Sequence, residues 1–278
     1  MALLTINADT CNRDGLCAAV CPIGIITYAK GELPQPTDDA ADYCIACGHC
    51  VAVCPTASLS HQKMAADQCP PVRTELQLSA AQSEQFLRSR RSIRAYKDQP
   101  VDRQQIVKLI EIASHAPSGH NSQPVQWRVI DDRSQIEKLA GTVIDWMRWM
   151  IDNQPELAAQ LHMPRAIKRW EAGHDVILRR APALVVAHAA KGARPAPAAC
   201  TIALTYLELA AGPLGLGACW AGYFWAAAQG FPATIAALDL PDGHQCYGAL
   251  MLGYPRFAYR RLPLRNKPDI TWWEDGDT

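Results

Sequence analysis

Eleven cysteines are spread over 278 residues, and seven of them fall in two runs that match each other. The second run, "CIACGHCVAVCP" (Cys44 to Pro55), reads C-x2-C-x2-C-x3-C-P. The first, "CNRDGLCAAVCP" (Cys11 to Pro22), keeps the same spacing, with Asp14 standing where the second has Cys47. Thiolates are soft ligands that take up zinc or iron–sulfur clusters, and close spacing lets one loop supply several of them. The proline after each last cysteine restricts the backbone there and ends the run. The stretch "MALLTINADT" lacks the basic start and apolar run of a signal peptide. Without an export signal, the cysteines read as metal thiolates rather than disulfides, and the expected location is cytoplasmic.

Charge narrows the partners. Lys and Arg number 27 and Asp and Glu number 27, so the formal net charge is zero. No basic field speaks for nucleic acid or a membrane surface. Leu209 to Ala228 carries no charged side chain, but Gly212, Pro213, Gly215 and Gly217 interrupt it. A membrane span needs about 20 residues of sustained helix, so this run is expected in a buried core or a subunit interface.

The chain changes character along its length. Residues 1–62 hold the cysteine repeat among turns and short strand-like pieces, 63–85 read as a linker running into a helix, and 86–278 as a second domain. In the second domain, Asp102 followed by Ile106, Leu109, Ile110 and Ala113 fits a capped amphipathic helix. Val125–Asp131, Ala183–Ala189 and Cys246–Pro255 read as strands, and Ser134–Ile151 and Ala198–Ala211 as helices. Helices alternating with strands in an apolar chain predict an α+β sandwich, a central sheet covered by helices.

Over roughly residues 1–60 the paired runs resemble a bacterial two-cluster ferredoxin, in which the fourth cysteine of each run serves the other cluster. The resemblance implies one 4Fe–4S cluster on Cys21, Cys44, Cys47 and Cys50. It implies a second, 4Fe–4S or 3Fe–4S, on Cys11, Asp14, Cys17 and Cys54. A carboxylate is a harder ligand than a thiolate, so Asp14 is expected to hold its iron more loosely. Some ferredoxins of this type carry aspartate at that place; an empty first site is the opposing reading, and zinc is the alternative metal. His49 and His61 lie near the runs without ligand spacing, and Cys69 stands outside them.

From Phe86 onward the chain resembles the nitroreductase family of FMN enzymes, through three segments. "RRSIRAY" (Arg90 to Tyr96) looks like its R-x-S-x-[RK] signature, implying FMN phosphate and ribityl contacts from Arg90, Arg91, Ser92 and Arg94. Guanidinium forks bind phosphate bidentately. "APSGHNSQPVQWRVI" (Ala116 to Ile130) is similar to the P-S-x-x-N-S-Q-P segment, implying flavin contacts from Pro117, Ser118 and Asn121. "LGLGACWAGYF" (Leu214 to Phe224) would bring Trp220, Ala221 and Gly222 to the ring. Arg260 and Arg261 sit where the family supplies further phosphate-binding cations, with Arg265 a third choice. His120, inside the second segment, reads as a structural or solvent-facing histidine. No side chain is nominated as catalytic, because in this family FMN carries the chemistry.

Together the resemblances imply a homodimeric ferredoxin–nitroreductase fusion. It would take electrons from an external ferredoxin or other low-potential donor and reduce a small organic acceptor, a nitro compound or an activated double bond. NAD(P)H is expected to be a poor donor. A lid is expected from Ile151 to Arg180, with Trp146, Trp149, Trp170 and His162 lining the pocket. Two rival readings are a flavin dehydrogenase passing substrate electrons out through the clusters, and a non-catalytic electron-transfer or redox-sensing protein.

Overall fold

The computed structural model describes residues 2–273; the last five residues of the expected second domain lie outside them. The cysteine-bearing segment is built from very short pieces. They are β1 (Leu4–Ile6), α1 (Leu16–Ala19), β2 (Ile26–Thr27), β3 (Gln35–Pro36), α2 (Ala40–Tyr43), α3 (His49–Ala52) and β4 (Leu59–His61). β1 pairs with β4 and β2 with β3, both antiparallel.

The sequence repeat is also a backbone repeat. α1 and α3 each start after a left-handed glycine, Gly15 (φ 73°) and Gly48 (φ 75°). Two residues earlier, Arg13 (φ 53°) and Ala46 (φ 49°) are left-handed too. After the last cysteine of each run, Gly24 and Ala57 close matching turns onto the carbonyls of Cys21 and Cys54. Gly15 is further constrained, since a Cβ there would meet the Tyr28 ring at 2.4 Å. The Tyr28 hydroxyl donates to the Arg13 carbonyl at 2.6 Å, fixing the turn from outside.

Residues 63–79 carry only two short 3-10 turns before α4 (Ala80–Ser89). Ser79 and Gln82 form a reciprocal capping box at its start, so this helix begins inside the stretch read as linker. Next come α5 (Arg103–Ala113), β5 (Gln126–Ile130), α6 (Arg133–Asn153), α7 (Pro155–Gln160), α8 (Met163–Glu171), β6 (Ala183–Ala190) and α9 (Ala196–Ala211). The chain closes with β7 (Gly217–Trp220), α10 (Gly222–Ala228), α11 (Pro232–Leu238) and β8 (His244–Gly253). α5 and α6 start where Asp102 and Asp132 accept backbone N–H bonds from Gln104 and Gln135, both at 2.9 Å.

The four long-domain strands form one antiparallel sheet in the order β5-β6-β8-β7. Side chains alternate across it with period two. On β6, Leu184 and Val186 face a core shared with α6, α8 and α10, while Ala183, Val185 and Ala187 face α5 and α9. Both faces are therefore buried, the α+β sandwich expected from the alternation. The charge-free run Leu209–Ala228 breaks at Gly215 and supplies β7 and α10, with Phe224 and Ala227 fully buried. No described helix is long and apolar enough to cross a membrane.

Candidate functional site

Three places gather chemistry. The first two are cavities in the cysteine segment. Cys11, Asp14, Cys17 and Cys54 line one, with Leu16, Thr56 and Ser58 around them. Cys21, Cys44, Cys47 and Cys50 line the other, with Ile25, Ile26 and His61. Each run thus sends its last cysteine to the cavity of the other run, and α1 and α3, the helices that precede Cys21 and Cys54, pack against each other. Among the described residues no three such side chains converge on one point. A cubane needs its ligands wider apart, around a cavity.

Asp14 accepts the Leu16 N–H through Oδ1 at 3.1 Å while lining the first cavity. Burial pushes the Cys50 thiol up to about 11. The Cys54 thiol is held below its ordinary value: burial acts to raise it, but Thr56 Oγ1 and the N–H groups around Ser58 outweigh that. Metal uptake by buried, neutral thiols releases protons.

His61 was read as an onlooker, and the fold gives it more. It is 4% exposed, its Nδ1 accepts the Lys63 N–H at 3.1 Å, and its Nε2 lies 3.6 Å from Cys44 Sγ. Accepting at Nδ1 leaves the proton on Nε2, so the ring donates an N–H···S bond to Cys44. Burial, then the nearby Lys63 charge, holds His61 below the usual histidine range and keeps it neutral.

The third place is a cavity of about 760 Å³, within the usual range of small-molecule sites. Arg90, Arg91, Lys97 and Arg256 line it against one carboxylate, Glu208, so four cations face one anion. Gly215, Leu216, Gly217 and Ala218 supply its wall. The three segments meet through backbone bonds: Ile93 N–H to the Ala218 carbonyl, Lys97 N–H to Tyr254, and Arg256 N–H to Ala95, each at 2.9 Å. Gly217 allows the approach, since a Cβ there would meet Ile93 at 2.5 Å. Arg90 Nη1 donates to Glu208 Oε1 at 2.8 Å and to Ser92 Oγ at 3.4 Å, leaving its other donors to the cavity. The Glu208 side chain is 6% exposed.

Other expected residues fall elsewhere. Ser92 and Arg94 are outside the cavity lining, and Arg94 is exposed. Arg260, Arg261 and Arg265 are exposed in the coil beyond β8, and Arg256 occupies the wall instead. Trp220 packs on Gly248, Ala221 is buried, and Gly222 opens α10. Pro117 and Ser118 line a separate, smaller cavity against Ala199 and Ala203 of α9. Of the residues expected to line the pocket, Trp146 is part of the core, Trp170 lines a different cavity with Arg133 and Arg180, and Trp149 and His162 are exposed; none of the four lines the cation-lined cavity. Trp146 is not available as a pocket wall because α6 buries it with Met147 and Met150 in the core shared with α8 and α10.

Asn121 is the surprise among them. Its Nδ2 donates to the carbonyls of Ile45 at 3.2 Å and Ala46 at 2.9 Å, and its Oδ1 accepts from Gln123 Nε2 at 3.2 Å. His120, in the same loop, is exposed and left-handed at φ 53°.

Comparisons with known proteins follow the same division. Residues 3–56 match the 4Fe-4S dicluster domain and residues 87–254 the nitroreductase family. An Archaeoglobus fulgidus protein bearing the provisional name NADH dehydrogenase/NAD(P)H nitroreductase is 25% identical over 168 residues, 60% of this chain and 82% of its own. Among solved structures, an FMN-bound nitroreductase from Bacteroides fragilis superposes with a TM-score of 0.56 at 23% identity, covering 69% of this chain and 98% of its own. An FMN-bound nitroreductase from Desulfitobacterium hafniense gives 0.56 at 22% identity with the same coverage.

Proposed function

Because this chain belongs to the nitroreductase family of oxidoreductases and carries a 4Fe-4S dicluster domain ahead of it, we propose that it is an FMN-dependent enzyme charged through two iron–sulfur clusters. Its acceptor is a small organic molecule, a nitro compound or an activated double bond. The observation that carries this is one chain holding two cysteine-lined cavities and a third lined by four cations.

The residues fit the implied groups. Cys21, Cys44, Cys47 and Cys50 would hold one cluster, and Cys11, Asp14, Cys17 and Cys54 the other. Arg90, Arg91, Lys97 and Arg256 would face the FMN phosphate, with Glu208 orienting Arg90. FMN, when bound, supplies the hydride or stepwise electron chemistry. The Pro117–Ser118 loop opens on a different part of α9 from Glu208. We read the two as halves of a flavin site completed by a twofold mate.

Two predictions arise from this geometry. Gly217→Ala drives a methyl into Ile93 and lifts the Arg90–Arg94 segment off β7; such overpacking costs about 1–3 kcal/mol. FMN affinity is expected to fall about tenfold, read by fluorescence titration of flavin-free protein; unchanged affinity would argue against a phosphate site there. His61→Phe removes the N–H donor from Cys44 Sγ. One hydrogen bond is worth about 1 kcal/mol, so at about 59 mV per tenfold for one electron the cluster potential should drop by roughly 40 mV. An EPR-monitored redox titration measures it, and no shift would mean the bond is absent in the loaded cluster.

Reoxidation of the fully reduced protein tests the function. Fast reoxidation by a nitroaromatic or an activated alkene supports reductase chemistry, and reduction of the flavin by a metabolite supports the dehydrogenase direction. Absence of turnover with any small molecule supports a relay to a protein partner. The Archaeoglobus relative is named for NAD(P)H. Here the clusters favour a low-potential donor, and fast, saturable NADPH oxidation without an added carrier would overturn that.

A further inference from the structure

Among the described residues, the hydrogen bonds joining the cysteine segment to residues 86–273 are the two from Asn121 Nδ2 to Ile45 and Ala46. Both carbonyls lie between Cys44 and Cys47, and Ile45 and Ala46 line the same cavity as those cysteines. The orientation of the amide is settled by its other end, where Oδ1 takes the Gln123 donor. Three residues of the Asn121 loop sit in left-handed backbone, His120, Asn121 and Gln123, at φ 53°, 50° and 44°. Such conformations persist only where the surroundings enforce them. Ala46, at φ 49°, is left-handed on the opposing side. Two strained loops therefore meet at one carboxamide. The cavity lined by Asp14 has no comparable bond to the second domain among the described residues.

We propose that Asn121 is a latch that docks the Cys21/Cys44/Cys47/Cys50 cluster loop onto the flavin domain, making that cluster the one that exchanges electrons with the flavin. The Asp14 cluster is then the outer one, facing the donor. This rests on the reading under Proposed function. With both groups bound, each transfer would oxidise the inner cluster by one electron and reduce the flavin by one. Two transfers with two protons from water would leave the flavin two-electron reduced; the small organic acceptor would take those two electrons and the protons, and the low-potential donor would resupply the clusters. Asn121 is a positioning residue: it carries no charge and touches no sulfur, but it sets how closely the cluster loop approaches the flavin loop.

The test uses full-length, metal- and flavin-loaded protein with Asn121→Ala and the isosteric Asn121→Asp, which keeps the loop's shape but loses both donors. Two neutral hydrogen bonds correspond to roughly a 30-fold change in the docked population. Hydrogen exchange at Ile45–Cys47 and proteolytic nicking across 63–79 are expected to rise by that order in both variants. After photoreduction of the clusters, electron transfer per bound flavin should slow in step. Loss of flavin without any change in exchange at Ile45–Cys47 would overturn the latch and make Asn121 a plain flavin contact. A wild-type protein whose flavin never receives cluster electrons would defeat the function proposed above instead. In that case the exchange and nicking readouts still decide whether Asn121 docks the two domains.

Discussion

Stripping the iron is expected to unfold residues 2–62 while the four-stranded sheet stays folded. The segment's core is seven buried residues, Leu4, Cys17, Ile25, Ile26, Ala40, Val51 and Leu59. Its helices are four residues each, far below the about 12–15 at which a helix stands alone. Domains of about 60 residues bury too small a fraction of their surface to fold with margin, so ligand–metal energy becomes folding energy. The sheet of the second domain depends on none of this, since β6 and β8 are buried on both faces by helices. Chelation followed by hydrogen exchange should show complete loss of protection at Leu59–His61 and none at Val185–Ala187. Persistent protection at Leu59–His61 in iron-free protein would mean that the small core suffices.

Replacing Arg90 with alanine is the second large effect, and it should appear even without flavin. The change strands the Glu208 carboxylate, whose side chain is 6% exposed. Breaking a buried pair by removing one partner typically costs about 3–5 kcal/mol. Arg90 is itself 31% exposed, so water screens the site and the cost falls to the bottom of that range or below it, about 2–3 kcal/mol. For a domain of this size that is a fall in Tm of roughly 4–12 °C. Arg90→Ala with Glu208→Ala should recover most of the stability, because no charge is left unpaired. Flavin affinity should stay low in the double variant, because the guanidinium fork is still missing. Arg90→Lys keeps the charge but not the fork and should also bind flavin weakly. A Tm unchanged by Arg90→Ala would show that the pair contributes nothing to the fold.

The cysteine repeat was readable because ligand spacing is written in the chain itself, and the fold places the two quartets on two cavities. Strands β5, β6 and β8 were readable from alternation. β7 was not: "GACW" is short and opens on glycine, which strands disfavour, so the sequence assigned no strand to the segment Leu214–Phe224. The pairings that organise the sites were the least visible. Arg90 and Glu208 stand 118 positions apart, and Asn121 reaches back 75 and 76 positions to Ala46 and Ile45. Neither link leaves a local pattern. Glu208 did leave one trace, a lone carboxylate inside the apolar helix α9, since buried charges are paired. Arg256 was passed over for Arg260 and Arg261 because spacing along a coil does not reveal which cation turns inward.

Iron per flavin, with EPR, on protein purified without oxygen tests most directly that two clusters serve one flavin in this chain. About eight irons per flavin is the result expected, with both quartets filled and Asp14 ligating. About seven, with an oxidised-state 3Fe–4S signal, keeps both clusters and makes Asp14 a weak ligand. About four, with one cluster signal, would leave the Asp14 cavity without a cluster and contradict the account.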